Sequence, residues 1–466
     1  MNEVLLGVLG YVVAQFAIGA WASRRIATES DFINAGRQLG MVLGSFTVFA
    51  TWFGAEAIVG TAGQVYENGL SGAESDPFGY AVALIVSGLL FAAALWRRGL
   101  VTFADFFRSR YSPAVERLVV ILLVPGGMFW AAAQIRAFGQ VVSSVSDLDV
   151  SVAISVAAVV VVAYTVLGGL MADAVTDLIQ GIAVIIGLVA LAALAASELG
   201  GVLASLAKVE PARLLVLGTE EGGSWLAVVE RWAVPVCGTI VAVELVSRIL
   251  GCRSAEVARR ATVLGGVIYL GVGLIPVYLG LVGPQLIEGL TGDAVEQVVP
   301  ELAGKLLPGL LFVLFAGALI SAILSTVDSV LLAAASLISH NIAMRLVEAP
   351  TERTKLVSVR VTVVALAGVA FMLALVAQSI RDLVEVASAA GSAGVIVCLV
   401  LGLFTRIGGP VSAAAALVSG AGVWLVAFVL ELSETPYLFA MGIALVAYLG
   451  ASLAFREASQ VAQDAG

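Results

Sequence analysis

Deep inside a long apolar run, the segment Ser321-Ala322-Ile323-Leu324-Ser325-Thr326-Val327-Asp328-Ser329 gathers the densest polar cluster of the chain. On a helix, Ser325, Asp328, Ser329 and Leu332 fall on adjoining positions, so one face offers two hydroxyls and a carboxylate. Hard oxygen donors without a soft ligand suit a small hard cation. A carboxylate at membrane depth is costly and marks a functional site, unless it only knots two helices together by hydrogen bonds. Other acids are scattered. Glu56 reads either as a substrate contact or as a gate, and Glu74 and Asp76 either as pocket acids or as an ordinary solvated loop. The i,i+4 spacing of Glu244 and Arg248 fits a structural ion pair better than a ligand. Arg136 either pairs with an acid or snorkels. Trp130 is packing or part of an aromatic cage, and His340 reads as an interface residue. With a single histidine, a His-based metal site or triad is excluded. Cys237, Cys252 and Cys398 have no metal-ligand spacing and imply no disulfide framework. No phosphate-binding Gly-Lys-Ser/Thr loop is present, which disfavours a primary pump. No short repeated filter of the carbonyl-ring type is present, which disfavours a channel. Nothing suggests bond-making chemistry, so an enzyme is not expected.

The elements that position these residues are membrane helices. Of the 466 residues, 61% are hydrophobic and 12% charged. Soluble domains carry about 25% charged residues, and a core buried only against itself could not absorb so much apolar surface. The 50 glycines suit close helix packing in a bilayer. Thirteen apolar spans are expected, at 4–22, 40–63, 78–96, 115–142, 150–168, 172–197, 224–250, 259–284, 308–338, 357–378, 382–404, 410–431 and 436–455. Val4 to Trp21 lacks a basic start and reads as a retained helix, not a cleavable signal. Basic loops holding Arg24, Arg25, Arg97, Arg98, Arg253, Arg353 and Lys355, and the tail with Arg456, fall on one side. Acidic stretches such as Glu67 to Asp76, Glu220–Glu221 and Glu288 to Glu301 fall on the other. Positive charge stays in the cytoplasm, so the N-terminus is expected outside and the C-terminus inside a bacterial-type inner (cytoplasmic) membrane. Two spans five apart are interrupted near their middles, at Ala50-Thr51-Trp52-Phe53-Gly54 and at Pro235-Val236-Cys237-Gly238-Thr239. Each reads as the broken first helix of a five-helix block, and an odd block inverts on repetition; ordinary kinks are the alternative. The expected division is an extra N-terminal helix and cytoplasmic loop (1–39), a first repeat (40–198), an extracellular loop (199–223), a second, inverted repeat (224–405), and two peripheral helices with a tail (406–466).

Four motifs in order give the chain its likeness. They are Gly36-Arg37, the turn Tyr164-Thr165-Val166-Leu167-Gly168-Gly169-Leu170, Thr176-Asp177-Leu178-Ile179-Gln180, and the Ser/Thr/Asp segment above. In these the chain resembles the sodium/solute symporters, over roughly residues 4 to 455. The resemblance implies an all-α polytopic protein with thirteen transmembrane helices and inverted five-helix repeats with discontinuous first helices, the LeuT-like fold. It implies Na+ as coupling ion, held by the carbonyls of Ala50, Phe53 and Ala322 and the hydroxyls of Ser325 and Thr326. A second cation site, present in some members, corresponds here to Asp177, Ser325, Asp328 and Ser329, with Asp328 replacing a hydroxyl used by some of them. Within the family, Ala50-Thr51-Trp52 and Met128-Phe129-Trp130-Ala131-Ala132-Ala133 resemble the choline-transporter branch. An aromatic cage binds quaternary ammonium through cation–π attraction. Where that branch has a further Trp, this chain has Ala242, so one wall of the cage is absent.

The expected function is sodium-coupled import of a small polar solute, cationic or amine-bearing, by alternating access. Sodium helps order the broken helices, and substrate binds among Trp52, Glu56, Glu74, Trp130 and Ala242. The alternatives are a symporter of a neutral or anionic solute (amino acid, urea or carboxylate) or a membrane sensor that keeps the fold but signals. The expected partners are the small-molecule substrate and the lipid bilayer, with no nucleic acid and no obligate protein partner.

Overall fold

A computed structural model describes residues 26–144, 149–217, 224–377, 380–389 and 391–455, with a few positions before residue 26. Most of the expected span 4–22 lies outside the described residues, as do Arg25, Glu220–Glu221 and Arg456. The described chain is helical, and its principal helices are numbered here. The first four are α1 (Glu29–Asn34), α2 (Met41–Trp52), α3 (Thr61–Asn68) and α4 (80–96). Next come α5 (Ala104–Arg110), α6 (Pro113–Ser144) and α7 (Val150–Glu198). The chain continues with α8 (Trp225–Ile240), α9 (Val243–Gly251), α10 (Ala255–Val282), α11 (Val298–Leu306) and α12 (Gly309–Asn341). It closes with α13 (Glu352–Val376), α14 (Ile380–Ala389), α15 (Ser392–Phe404), α16 (Pro410–Val429) and α17 (Pro436–Ala454). No strand occurs among the described residues, only one isolated bridge between Leu39 and Cys252.

The ends follow local chemistry. Asp149, Ser224, Ser254 and Thr351 cap α7, α8, α10 and α13 by accepting a first-turn amide. Pro113, Pro410 and Pro436 open α6, α16 and α17, where their missing amide has no partner to lose. Thr28 and Asp31 form a reciprocal capping box on α1. Burial pushes the Asp31 carboxyl up, but the hydrogen bonds from Thr28 and Ala27 outweigh it and hold it below its ordinary value. After α1 the chain turns through Ala35, Gly36 and Arg37, all at positive φ. Arg37 then donates to the Leu100 carbonyl (2.7 Å) and stacks over Trp96, so the Gly36-Arg37 pair pins that turn.

Helix α12 lies at the centre, packed on α6, α7 and α13. In its most apolar window 71% of residues are buried, against 22% in α17. Helix α10 covers α2 and α3, and α16 and α17 pair with each other at the periphery. Among the described residues nine helices are long and apolar enough to span a membrane, and the bent pair α8–α9 makes ten, against thirteen expected. The expected span 4–22 lies mostly outside the described residues, and others are interrupted. Of the expected spans 150–168 and 172–197 the second is one of the nine and the first is counted only as the shorter helix Val150–Val160; the two are joined in α7 across a kink at Gly169. That residue has φ 68° and lies so close to Phe32 and Ile26 that a Cβ would meet them at 2.9 and 3.0 Å, so glycine is required on both counts. The span 40–63 is divided at Phe53–Gly54, which leaves Met41–Trp52 too short to be counted, whereas 382–404 is counted as Val386–Phe404.

Two sequence expectations are corrected. The second broken helix does not part at Pro235–Thr239: α8 continues to Ile240, and the 43° bend falls at Val241–Ala242. Gly238 serves packing there, because a Cβ would lie 2.5 Å from the Ser388 carbonyl of α14. Nor does Arg248 pair with the Glu244 carboxylate. It reaches only that residue's carbonyl (3.5 Å) and forms its ion pair with Asp173 of α7. A fully desolvated guanidinium takes the buried acid that can face it.

Candidate functional site

Helix α2 ends because its ladder is diverted. The amides of Gly54 and Ala55 would ordinarily bond the carbonyls of Ala50 and Thr51. Instead Gly54 donates to the Trp52 carbonyl (2.9 Å) and Ala55 to Gln134 Oε1 of α6 (3.2 Å). Those two carbonyls are thereby released from the intrahelical ladder. The break abuts α12: a Cβ on Gly54 would lie 2.9 Å from both Thr326 Oγ1 and Gln134 Oε1. Thr326 donates to the Ala322 carbonyl (3.1 Å). Ala50, Phe53, Ala322, Ser325 and Thr326 are all buried, and Gly54 brings the α2 break against the Thr326 side of α12.

One turn further along α12, a buried network joins four helices. Ser325 donates to Asp177 of α7, whose other oxygen accepts from Thr47 of α2 (2.5 Å). Ser329 donates to Asp173 (2.8 Å), and Arg248 of α9 contacts both Asp173 and Ser329. Asp173, Asp177, Asp328, Ser329, Arg248 and Thr47 are all fully buried. Asp177, Ser325, Asp328 and Ser329 differ in their nearest partners, although Ser325 also lies 3.5 Å from Asp173, to which Ser329 donates. Ser325 pairs with Asp177, Ser329 with Asp173, and Asp328 faces Gly168 and Thr165 at the bend of α7. Among the described residues neither Asp328 oxygen has a hydrogen bond of ordinary geometry.

The aromatic and acidic residues line two adjoining spaces. A small one of about 60 Å³ is bounded by Trp52, Trp130, Ala242, Tyr80 and Ser388. A large one of about 960 Å³ holds Glu56, Glu74 and Asp76, and shares Tyr80 and Ser388 with the first. Tyr80 meets Trp130 edge-to-face (6.3 Å between centroids) and donates to Glu56 Oε1 at a long 3.4 Å. Glu74 and Asp76 are not a solvated loop: they are 2% and 5% exposed. Glu74 pairs with Arg231 of α8, and Asp76 accepts from Tyr269 of α10 (2.7 Å). Arg136 donates to the Ala374 carbonyl (3.4 Å). His340 bridges α12 to Glu29 (3.1 Å) and Asp105 (3.7 Å), as an interface residue does.

A profile of the sodium:solute symporter family matches residues 32–420. The chain belongs to that family. The symporter is 27% identical over 424 residues to the high-affinity choline transporter 1 of Caenorhabditis elegans, covering 81% of this chain and 70% of that one. It is 30% identical over 363 residues to the high affinity choline transporter 1 of Homo sapiens, covering 73% of this chain but 62% of the relative. In structure it superposes on a sodium-coupled sialic acid symporter in a substrate-bound, outward-open state, with a TM-score of 0.86, 15% identity and 99% of both chains covered. It also superposes on the nucleobase-cation-symport-1 transporter Mhp1, with a TM-score of 0.60, 14% identity, and 92% and 95% covered. These likenesses give the symporter the LeuT-like fold.

Several residues of these clusters escaped sequence reasoning. Asp173 interrupts an apolar run one turn before Asp177, a signal that could have found it. Gln134 stands one residue past the Met128–Ala133 run, and Arg248 lies 75 positions from its partner. Only the fold brings that pair together.

Proposed function

We propose that the chain is a sodium-coupled symporter that imports a small cationic or amine-bearing solute by alternating access. Sodium, as co-transported cargo, binds at the α2 break, on the carbonyls of Ala50, Phe53 and Ala322 and the hydroxyls of Ser325 and Thr326. The observation that carries this reading is the diversion of the Gly54 and Ala55 amides, which releases the Ala50 and Thr51 carbonyls from the ladder while Gly54 itself stands against the Thr326 hydroxyl. A buried carbonyl without a donor is costly, and a hard cation satisfies it. Asp177, Ser325, Asp328 and Ser329 supply acceptors for a second cation. Substrate enters the large cavity past Glu74 and Glu56 and rests on its Tyr80 and Ser388 side, next to the small space where Trp52, Trp130 and Ala242 form an incomplete aromatic wall. Seven acidic residues and one basic residue line the large cavity among the described residues, so its field concentrates cations. The names of the choline-transporter relatives support the same charge.

In this reading the domain boundaries are 1–39, 40–198, 199–223, 224–405 and 406–466, with the N-terminus outside the inner membrane. The driving energy is the sodium gradient plus about 2.3 kcal/mol per charge per 100 mV of membrane potential. The test is uptake into proteoliposomes of choline-like, amine, urea, amino-acid and carboxylate compounds, with and without an inward sodium gradient. Accumulation of a cation that collapses when the gradient is abolished supports the proposal. Sodium-independent uptake, or preference for an anion, refutes it.

A further inference from the structure

We infer that the floor of the large cavity is a subsite for a protonated amine that retains N–H groups, and that it disfavours quaternary ammonium. This deepens the transporter reading and rests on it. Glu56 Oε2 and Asp76 Oδ2, buried oxygens of acids lining the cavity, have no hydrogen bond of ordinary geometry among the described residues, as is true of Glu74 Oε1 in the acid paired with Arg231; the Thr61 hydroxyl lies beside Asp76. Thr61 and Asp76 are 2% and 5% exposed. The remaining oxygens of the two acids are held by phenols, Glu56 by Tyr80 and Asp76 by Tyr269. Each carboxylate is thereby oriented with one oxygen left over. The two acids stand near enough for their charges to act on each other. The basic residue of the cavity wall, Arg231, is already bonded to Glu74.

An orphan carboxylate oxygen calls for a donor with a positive charge, and a protonated amine supplies several N–H groups from one centre. A trimethylammonium supplies none; it binds through aromatic faces. The aromatic residues Trp52 and Trp130 lie in the adjoining space of about 60 Å³, too small for an organic cation, with Ala242 in its wall. The orphan oxygens are shielded from water, so an amine that reaches them sheds its hydration and is compensated only by hydrogen bonds. The long Tyr80–Glu56 contact is the one that yields to admit it.

The test is a methylation series on one skeleton: ethanolamine, its N-methyl and N,N-dimethyl forms, and choline. Binding is read by thermal stabilisation of the purified full chain in sodium buffer, and transport separately in proteoliposomes. We expect the dissociation constant to rise about tenfold or more from ethanolamine to choline, because a site built for N–H groups rejects analogues that lack them. Glu56→Gln and Asp76→Asn should flatten that ranking. Choline binding as tightly as ethanolamine overturns the subsite, as does failure of all four to bind while another solute is taken up on a sodium gradient. An Asp76→Asn variant that alters sodium dependence but keeps the amine ranking assigns the carboxylate to an ion and also overturns it. An intact ranking without sodium-driven uptake leaves the subsite standing and refutes the transporter reading alone.

Discussion

Ser325 and Thr326 are adjacent on α12 yet bonded differently, Ser325 to Asp177 and Thr326 to the Ala322 carbonyl. Replacing both with Ala removes two hydroxyl oxygens from the proposed sodium ligand set, and a methyl cannot substitute. Sodium-dependent uptake is expected to collapse while expression persists; unchanged sodium affinity would remove both residues from the site. Asp328 tests the second cation site separately. Asp328→Asn should weaken the dependence of uptake on sodium concentration, and a wild-type profile would leave Asp328 as a packing residue. The Arg248–Asp173 pair makes a different claim, on stability. Removing one partner of a buried pair leaves the other charge uncompensated, typically at about 3–5 kcal/mol. Arg248→Met should therefore lower the melting temperature of the detergent-purified protein, and Asp173→Leu added to it should restore part of the loss. A double variant no more stable than the sum of the singles would show that the two side chains act independently.

At the scale of elements, glycine placement decides how closely helices approach. A Cβ on Gly238 would meet the Ser388 carbonyl at 2.5 Å, so Gly238→Ala must push α8 from α14 and should cost about 1–3 kcal/mol. Gly271, on α10, has nothing within 4 Å of its would-be Cβ. Gly271→Ala should be neutral or stabilising by up to about 1 kcal/mol through helix propensity. Equal losses in thermal unfolding of the two variants would contradict this reading. The helices themselves were legible, because run length, caps and opening prolines are local signals. The break at Phe53–Gly54 was legible too, from the small and aromatic residues around it. The boundary between the expected spans 150–168 and 172–197 was legible as well, since the non-helical Gly169 separates two helices within α7. The true bend at Val241–Ala242 was not: Pro235 is the stronger local signal, but α8 carries it without parting. The proposed sodium ligands follow from likeness and the polar spacing on α12, whereas Gln134 and the Arg248–Asp173 pair depend on contacts between distant segments.

For the whole molecule, the alternation of basic and acidic loops sets the expected orientation. Residue 354, between Arg353 and Lys355, should be cytoplasmic. With Cys237, Cys252 and Cys398 replaced, a Thr354→Cys variant should resist an impermeant thiol reagent in intact cells and react after permeabilisation; labelling without permeabilisation would reverse the orientation. The two ends of the molecule are also fastened in different ways. Around the large cavity the contacts are made by side chains such as Glu74 and Arg231. At the other end the Leu39 amide donates to the Gly251 carbonyl and the Arg253 amide to the Leu39 carbonyl, both at 3.0 Å. A main-chain clasp is indifferent to most substitutions, because every residue except proline brings the same amide and carbonyl. Substitutions around the large cavity can thus change its chemistry while the fastening between the start of α2 and the end of α9 keeps the same donors and acceptors.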